Sequence, residues 1–358
     1  MSLPAPKRIL IIRLSAIGDV VFASPLVSAC RKRYPNAEID WLAEGVVRPL
    51  LTDLPGLTNV ILWPRQEWHD LWREKRFISL FRAIGKFKTS LKQRDYDLVV
   101  DAQGLFKSAF LAWLSRGKQR VGFKSKEPNG MFLHKRLEKV LSHRISSEYL
   151  ALAEALEWDT QDFNLTLGLS SSDEARAKEI GSGEDYIVVA PFTTRPQKHW
   201  TVAHWRDLIQ RLTDRGHTVG CLGGPGDRAQ AEEILAGMRV RNWVGAYPLG
   251  VSAALVKYSR AIVGVDTGLT HMGVASGVPT VALFGSTCPY TETHRDRVRI
   301  IYHDLECAPC SRRPTCSGRY DCMSGIQVDE VLKEFDQVAE AAQHRPITVM
   351  DSEGADDE

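Results

Sequence analysis

Arg8-Ile9-Leu10-Ile11-Ile12-Arg13-Leu14 runs directly into Ser15-Ala16-Ile17-Gly18-Asp19. The first seven residues are an Ile-rich apolar run, the composition of a strand buried on both faces in a parallel sheet. The next five form a small, polar, glycine-containing turn. Helical spacing follows from about residue 20 to 33 and stops at Pro35-Asn36. Strand, turn and helix together open a βα unit.

The alternation continues outward from that unit. Residues 39–43, 59–63 and 96–101 read as strands, and 78–93 and 105–114 as helices. The polar, Ser- and Gly-rich stretch 168–185 reads as a linker. A second series then begins with the strand 186–190 and the helix 201–215. Strands at 217–222, 261–266 and 280–284 follow, with helices from 227, around 252–258 and from 269, and an amphipathic helix at 328–343. The pattern predicts an α/β protein of two doubly wound, Rossmann-like domains facing one another across a central cleft. The divisions expected are 1–168, 169–326, a helix at 327–345 packing back toward the first domain, and a disordered acidic tail at 346–358.

Composition narrows the function. The chain has 358 residues with 46 Lys plus Arg against 44 Asp plus Glu, a formal charge of +2. That balance argues against a nucleic-acid partner. No stretch approaches the length of a transmembrane helix, and the apolar run 9–14 is too short for a secretory leader. A cytosolic protein is expected. Its seven cysteines then read as thiols or metal ligands rather than a disulfide framework.

Ligands of open α/β sheets bind beyond the carboxyl ends of the strands, so residues just after strands are the candidates. Asp19 can act as a general base or cap its helix. Only Gly18 in that turn is glycine, so the dinucleotide-binding fingerprint is missing. Gln103, in Asp101-Ala102-Gln103-Gly104, lies in a turn suited to lining a substrate. Thr193, Thr194, Arg195 and Lys198 place two hydroxyls and two cations within six residues, an anion site in type. Asp266-Thr267-Gly268-Leu269-Thr270-His271 closes a strand and opens a helix, whose N-terminal N–H groups suit a phosphate. Asp227, after Gly223-Gly224-Pro225-Gly226, can hold ribose hydroxyls or cap a helix.

Residues 63–76 mix three tryptophans with Arg65, Arg73, Lys75 and Arg76. Such a segment can grip an anionic, partly lipidic acceptor at a membrane surface, or form a half-buried helix with a charged face. Cys307-x2-Cys310-x5-Cys316-x5-Cys322 offers four thiols, but its second half lacks the C-x2-C spacing of a zinc site. Zinc, disulfides and free thiols all stay open there, with Arg312, Arg313 and Arg319 available to stabilise thiolates. Cys30, Cys221 and Cys288 read as small buried apolar residues.

LSAIGDVV, DAQGLFKSA, TTRPQKHW and VDTGLTH, in that order, resemble glycosyltransferase family 9, the bacterial lipopolysaccharide heptosyltransferases. The resemblance spans roughly residues 8–284 and the C-terminal helix. It implies a GT-B fold with the acceptor on the first domain and the nucleotide-sugar on the second. It implies inverting, metal-independent transfer of heptose from ADP-L-glycero-D-manno-heptose to the Kdo-lipid A inner core, with no cofactor. Asp19 matches the catalytic base. Lys198, Thr193 and Thr194 match donor-phosphate contacts, and Asp266 the heptose contact. Thr267, Gly268, Leu269 and His271 match the rest of that loop, and Asp227 an acidic ribose contact usually made by Glu. Arg65, Arg73, Lys75, Arg76 and Gln103 are then acceptor candidates. The enzyme is expected at the cytoplasmic face of the inner membrane. The cysteine cluster departs from heptosyltransferase I, so another sugar donor or acceptor within the family stays open. A GT-B epimerase or a non-catalytic nucleotide-binding protein is the more distant reading.

Overall fold

The computed structural model describes residues 5–287, 290–293, 295–310 and 313–343. The acidic tail, Cys288 and Arg312 lie outside them. The first half supplies β1 (Arg8–Ile12), β2 (Glu38–Ala43), β3 (Asn59–Leu62), β4 (Leu98–Asp101), β5 (Gln119–Phe123) and β6 (Lys135–Leu137). Its helices are α1 (Ile17–Ala23), α2 (Pro25–Arg33), α3 (Arg65–Arg73), α4 (Phe77–Lys92), α5 (Phe106–Leu114) and α6 (Ser147–Ala155). The second half supplies β7 (Tyr186–Ala190), β8 (Thr218–Cys221), β9 (Arg241–Asn242), β10 (Ala261–Val265), β11 (Thr280–Phe284) and β12 (Val298–Tyr302). Its helices are α7 (Ser171–Gly181), α8 (Val202–Asp214), α9 (Arg228–Leu235), α10 (Leu249–Lys257), α11 (Gly268–Ala275), α12 (Asp321–Ser324) and α13 (Val328–Gln343).

Every strand pair is parallel. The first sheet runs β3-β2-β1-β4-β5-β6 and the second β12-β11-β10-β7-β8-β9. Counted within its own half, each sheet has the doubly wound order 3-2-1-4-5-6, whose switch point lies between strands 1 and 4. The switch points are β1/β4 and β7/β10. Ile9, Leu10, Ile11 and Ile12 are fully buried, as a central parallel strand covered on both faces must be.

Three expectations need correction. The helix expected over 20–33 is two helices, because Pro25 starts a new one at its first position, where the ring's fixed φ and missing N–H cost nothing. Residues 168–185 are not a linker throughout: α7 forms there. Ser170 caps it by accepting from the Asp173 N–H at 3.2 Å, Asp173 and Glu174 occupy its first turn, and it packs on α10. The Ser and Asp that read as linker chemistry are helix-start chemistry. Finally, α13 packs on β11, β12 and α8 of the second half, not back toward the first. Val331, Leu332, Phe335 and Val338 complete the core that contains Ile187, Val263 and Leu283. A helix goes where its apolar stripe buries most surface.

Candidate active site

The two sheets meet through the segments that follow their switch-point strands. α1, after β1, packs against α11, after β10. Two glycines allow it. A β-carbon on Gly18 would stand 2.7 Å from Cδ2 of His271, and one on Gly268 would stand 2.6 Å from Cγ2 of Ile17. A β-carbon at either position would require the His271 ring or the Ile17 side chain to move.

Asp19 lies in the first turn of α1, beside that contact. Its Oδ2 is ion-paired with Arg13 and accepts weakly from the Ala16 N–H at 3.4 Å. Oδ1 bonds to none of the described residues. The Asp19 side chain is 43% exposed, whereas that of Arg13 is 7% exposed. Arg13 comes from the end of the apolar run, where a buried cation requires a partner. Its backbone carbonyl accepts from the Trp41 indole N–H at 3.0 Å, which fixes the chain there. Asp19 is therefore an open carboxylate held by a buried guanidinium.

The second half contributes a denser cluster. Asp266, at the end of β10, accepts from Lys198 Nζ at 2.5 Å, Thr287 Oγ1 at 2.5 Å and His271 Nε2 at 3.1 Å. An ionised carboxylate only accepts, so His271 Nε2 donates to it, and Nδ1 lies 2.8 Å from the Tyr290 hydroxyl. Phe22 of α1 covers the imidazole with ring centroids 4.5 Å apart. Burial alone would raise the Asp266 carboxyl, but His271 and Lys198 overcome it and hold it well below the usual carboxylate range. Burial first, then the nearby Asp266 charge, push the Tyr290 hydroxyl well up. Thr267 stands at the start of α11, and Gly268 and Leu269 form its first turn, all half-buried. Their N–H groups have no partner within the helix, the feature by which helix starts in general suit anions.

Lys198 sits on a 3-10 turn over Pro196–Lys198. Thr193 is half-buried and Thr194 exposed. The Thr193 carbonyl accepts from His199 Nε2 at 2.8 Å, which pins the loop after β7. Asp227 is turned into its own bend, where Oδ2 accepts from the Gly224 N–H at 2.7 Å, the capping role for this residue type.

On the first half, Gln103 is buried and its Oε1 accepts from the Leu14 N–H at 3.0 Å. It braces the turn that carries Asp19. Asp101 behind it is fully buried, and desolvation pushes its carboxyl up to about 6, against the N–H groups of Gly104 and Gln103 that lower it. Arg65 lies 3.2 Å from Glu44, which also lies 3.4 Å from Lys107 and accepts from Ser15 Oγ at 3.4 Å. Arg73 and Arg76 instead pair with neighbours on their own segment, Asp70 at 3.5 Å and Glu74 at 3.2 Å, and Lys75 is exposed. The expected acceptor cations thus divide. Arg65 faces the turn before Asp19, and the other three do not join it.

Arg13, Glu44, Lys107, Thr287 and Tyr290 escaped the sequence reading. Arg13 had a signal, a charge inside an otherwise apolar strand run. Lys107 lies within the DAQGLFKSA motif without a role assigned to it; Glu44, Thr287 and Tyr290 had no signal, since only folding brings them to the switch points. Cys30 and Cys221 are buried as expected. Cys307, Cys310, Cys316 and Cys322 are free thiols. Burial raises Cys310 and Cys322, and Arg319 pairs with Asp321 at 3.1 Å. Among the described residues, no three potential ligands form a group able to hold a metal ion.

Two doubly wound halves, with an open carboxylate beside one switch point and a helix N-terminus beside the other, have the GT-B architecture. The sequence profile of glycosyltransferase family 9 (heptosyltransferase) matches residues 84–321. The lipopolysaccharide heptosyltransferase 1 of Pseudomonas aeruginosa is 32% identical over 321 residues, 87% of each chain. The chain belongs to glycosyltransferase family 9. The solved structure of E. coli ADP-heptose LPS heptosyltransferase II superposes with a TM-score of 0.74 at 24% identity, covering 94% of this chain and 99% of that one. E. coli heptosyltransferase WaaC with ADP-2-deoxy-2-fluoro heptose gives 0.69 at 23%, covering 92% and 99%.

Proposed function

We propose that this protein transfers a heptose from ADP-L-glycero-D-manno-heptose to the Kdo-lipid A inner core, with inversion at the anomeric carbon and without a metal. The observation that carries the reading is the contact between the Gly18 turn and His271. It sets an open carboxylate of one half beside the anion loop of the other. Family relatives that act on lipopolysaccharide, and a neighbour of the same fold bearing an ADP-heptose analogue, support the substrate pair.

In this reading Asp19 accepts the proton of an acceptor hydroxyl as it attacks the anomeric carbon, and Arg13 orients the carboxylate. Proton removal by a positioned base contributes about 10²–10⁴ in rate. The donor pyrophosphate lies over the N-terminus of α11, with Thr193 and Thr194 adding hydroxyl donors. Charge growing on the departing ADP draws Lys198 away from Asp266. One cation and a row of N–H groups then supply the positive charge that a metal supplies elsewhere. Asp266, with Lys198 drawn off, accepts from a heptose hydroxyl, while His271 and Tyr290 keep it in place. Asp227 caps its own bend and contacts the ribose from there. A base on one face and the leaving group on the other is the arrangement of a single displacement, hence inversion.

The acceptor is an anionic glycolipid, so the enzyme works at the cytoplasmic face of the inner membrane as a peripheral protein. No helix among the described residues is long and apolar enough to cross a membrane. Residues 1–168 hold the acceptor and 169–326 the donor. The deciding experiment supplies ADP-, UDP- and GDP-sugars with a deacylated Kdo-lipid A acceptor. ADP-heptose consumption with a product of inverted configuration, undiminished by a chelator, is expected. Preference for another nucleotide-sugar overturns the donor assignment.

A further inference from the structure

The joint between α3 and α4 presents a surface that core packing does not explain. Trp72, Phe77, Ile78 and Phe81 are 64%, 45%, 78% and 71% exposed. The patch is continuous: the rings of Trp72 and Phe77 meet edge to face at 5.5 Å, and Ile78 and Phe81 are three apart on one helix, hence neighbours on one face. An adjoining face of α4 is already employed, with Leu80 and Leu91 buried and Ile84 and Phe87 packed on the first-half core. A solvent-facing helix side is normally polar, and grouped large apolar tips mark an interaction surface.

Charge identifies the occupant. Residues 75–92 contain Lys75, Arg76, Arg82, Lys86, Lys88 and Lys92, and not one Asp or Glu. Arg82 follows Phe81 directly, at i+4 from Ile78. On the α4 side the apolar tips are bordered by positive charge alone, while on the α3 side Asp70 and Glu74 are each paired with an arginine; the net positive border matches an anionic bilayer. There the rings and the Ile side chain sink to the headgroup–acyl boundary while Lys and Arg meet the headgroups.

We propose that the α3–α4 joint is an interfacial anchor for an anionic lipid bilayer, and that Arg73, Lys75 and Arg76 serve it rather than the sugar subsite. The inference rests on the reading that the acceptor is lipid-anchored, and it adds where the bilayer lies. α3 has nine residues, so its two ends are about 13 Å apart. Arg65 at one end faces Glu44, and the anchor is at the other. A lipid docked there leaves a length of sugar to run along α3 toward the turn of Asp19.

Vesicle co-sedimentation tests this, with phosphatidylcholine alone and with about one-third phosphatidylglycerol. The wild-type protein is expected to favour the anionic vesicles at least about tenfold and to be released by high salt. The Ile78→Ser/Phe81→Ser variant is expected to lose about tenfold or more of that binding, and Arg82→Gln roughly fivefold. Both should keep wild-type circular dichroism and wild-type turnover on a deacylated acceptor. Vesicle binding that ignores these substitutions, or equal binding to both vesicles, overturns the anchor. So does a dimer in sedimentation velocity that Ile78→Ser/Phe81→Ser dissociates, since a second copy would then own the face. Vesicle binding with no transfer to any acceptor would sink the functional reading alone. Transfer without vesicle binding would sink the anchor alone.

Discussion

Gly18 and His271 touch across the two halves so closely that a β-carbon on Gly18 would stand 2.7 Å from the imidazole Cδ2. His271 in turn bonds Asp266 and Tyr290. The turn that carries Asp19 and the side chains that hold Asp266 therefore share one contact. Gly18→Ala forces the imidazole back by several tenths of an ångström. Turnover is expected to fall by up to about 10²-fold, the scale of a small misplacement of reacting groups, with the unfolding midpoint little changed. Steady-state kinetics beside a melting curve separate the two effects, and unchanged kcat means the contact is not used.

Asp19 and Arg13 should behave as one unit. Asp19→Ala is expected to lower kcat by about 10²–10⁴ while ADP binding persists. Arg13→Lys should also lower kcat, because a compact ammonium does not reproduce the guanidinium fork. The double variant should be scarcely worse than Asp19→Ala alone, as expected of residues that act together. Additive losses would separate their roles.

Lys198 is proposed to trade Asp266 for the donor phosphates. A ligand at a hundredfold excess over Kd stabilises a fold by about 2.7 kcal/mol, so ADP should raise the wild-type melting temperature clearly. Lys198→Ala is expected to reduce that shift and raise the donor KM. An ADP shift equal to wild type would remove Lys198 from the phosphate site.

Asp266 makes stability depend on pH in a defined window. Its folded carboxyl lies below its ordinary value of 3.8, so the ionised form favours folding. That contribution is complete above the unfolded value and is lost as pH falls toward the folded one. The stability gap between wild type and Asp266→Asn should stay constant from neutral pH down to about 5 and close below 4. Chemical denaturation across pH reads it, and a gap that persists in strong acid contradicts the assignment.

Asp101 has the opposite sign. Burial lifts it from 3.8 to about 6, so the folded state binds the proton more tightly than the unfolded one. Its contribution falls as pH rises from about 4 to about 6 and then levels. Relative to Asp101→Asn, which does not titrate, the wild type should lose ground across that interval and no further. A flat difference would mean that Asp101 is solvated.

The sequence by itself determined the alternation of strands and helices, the two doubly wound halves, and the turns after β1, β7 and β10 that carry Asp19, Lys198 and Asp266. Those features rest on short-range physics. Ile-rich runs cannot leave the core, and Gly, Asp and Thr fit the strand-to-helix bends. It read α7 as linker because a capped surface helix and a polar loop use the same Ser and Asp residues. Only tertiary structure decided where α13 packs, which of Arg65, Arg73, Lys75 and Arg76 faces the turn before Asp19, and that Arg13, Thr287 and Tyr290 bond Asp19, Asp266 and His271. Those pairings join residues far apart in the chain through contacts of a few ångströms. Periodicity carries no information about such contacts, because each one depends on how two finished sheets and their helices settle against each other.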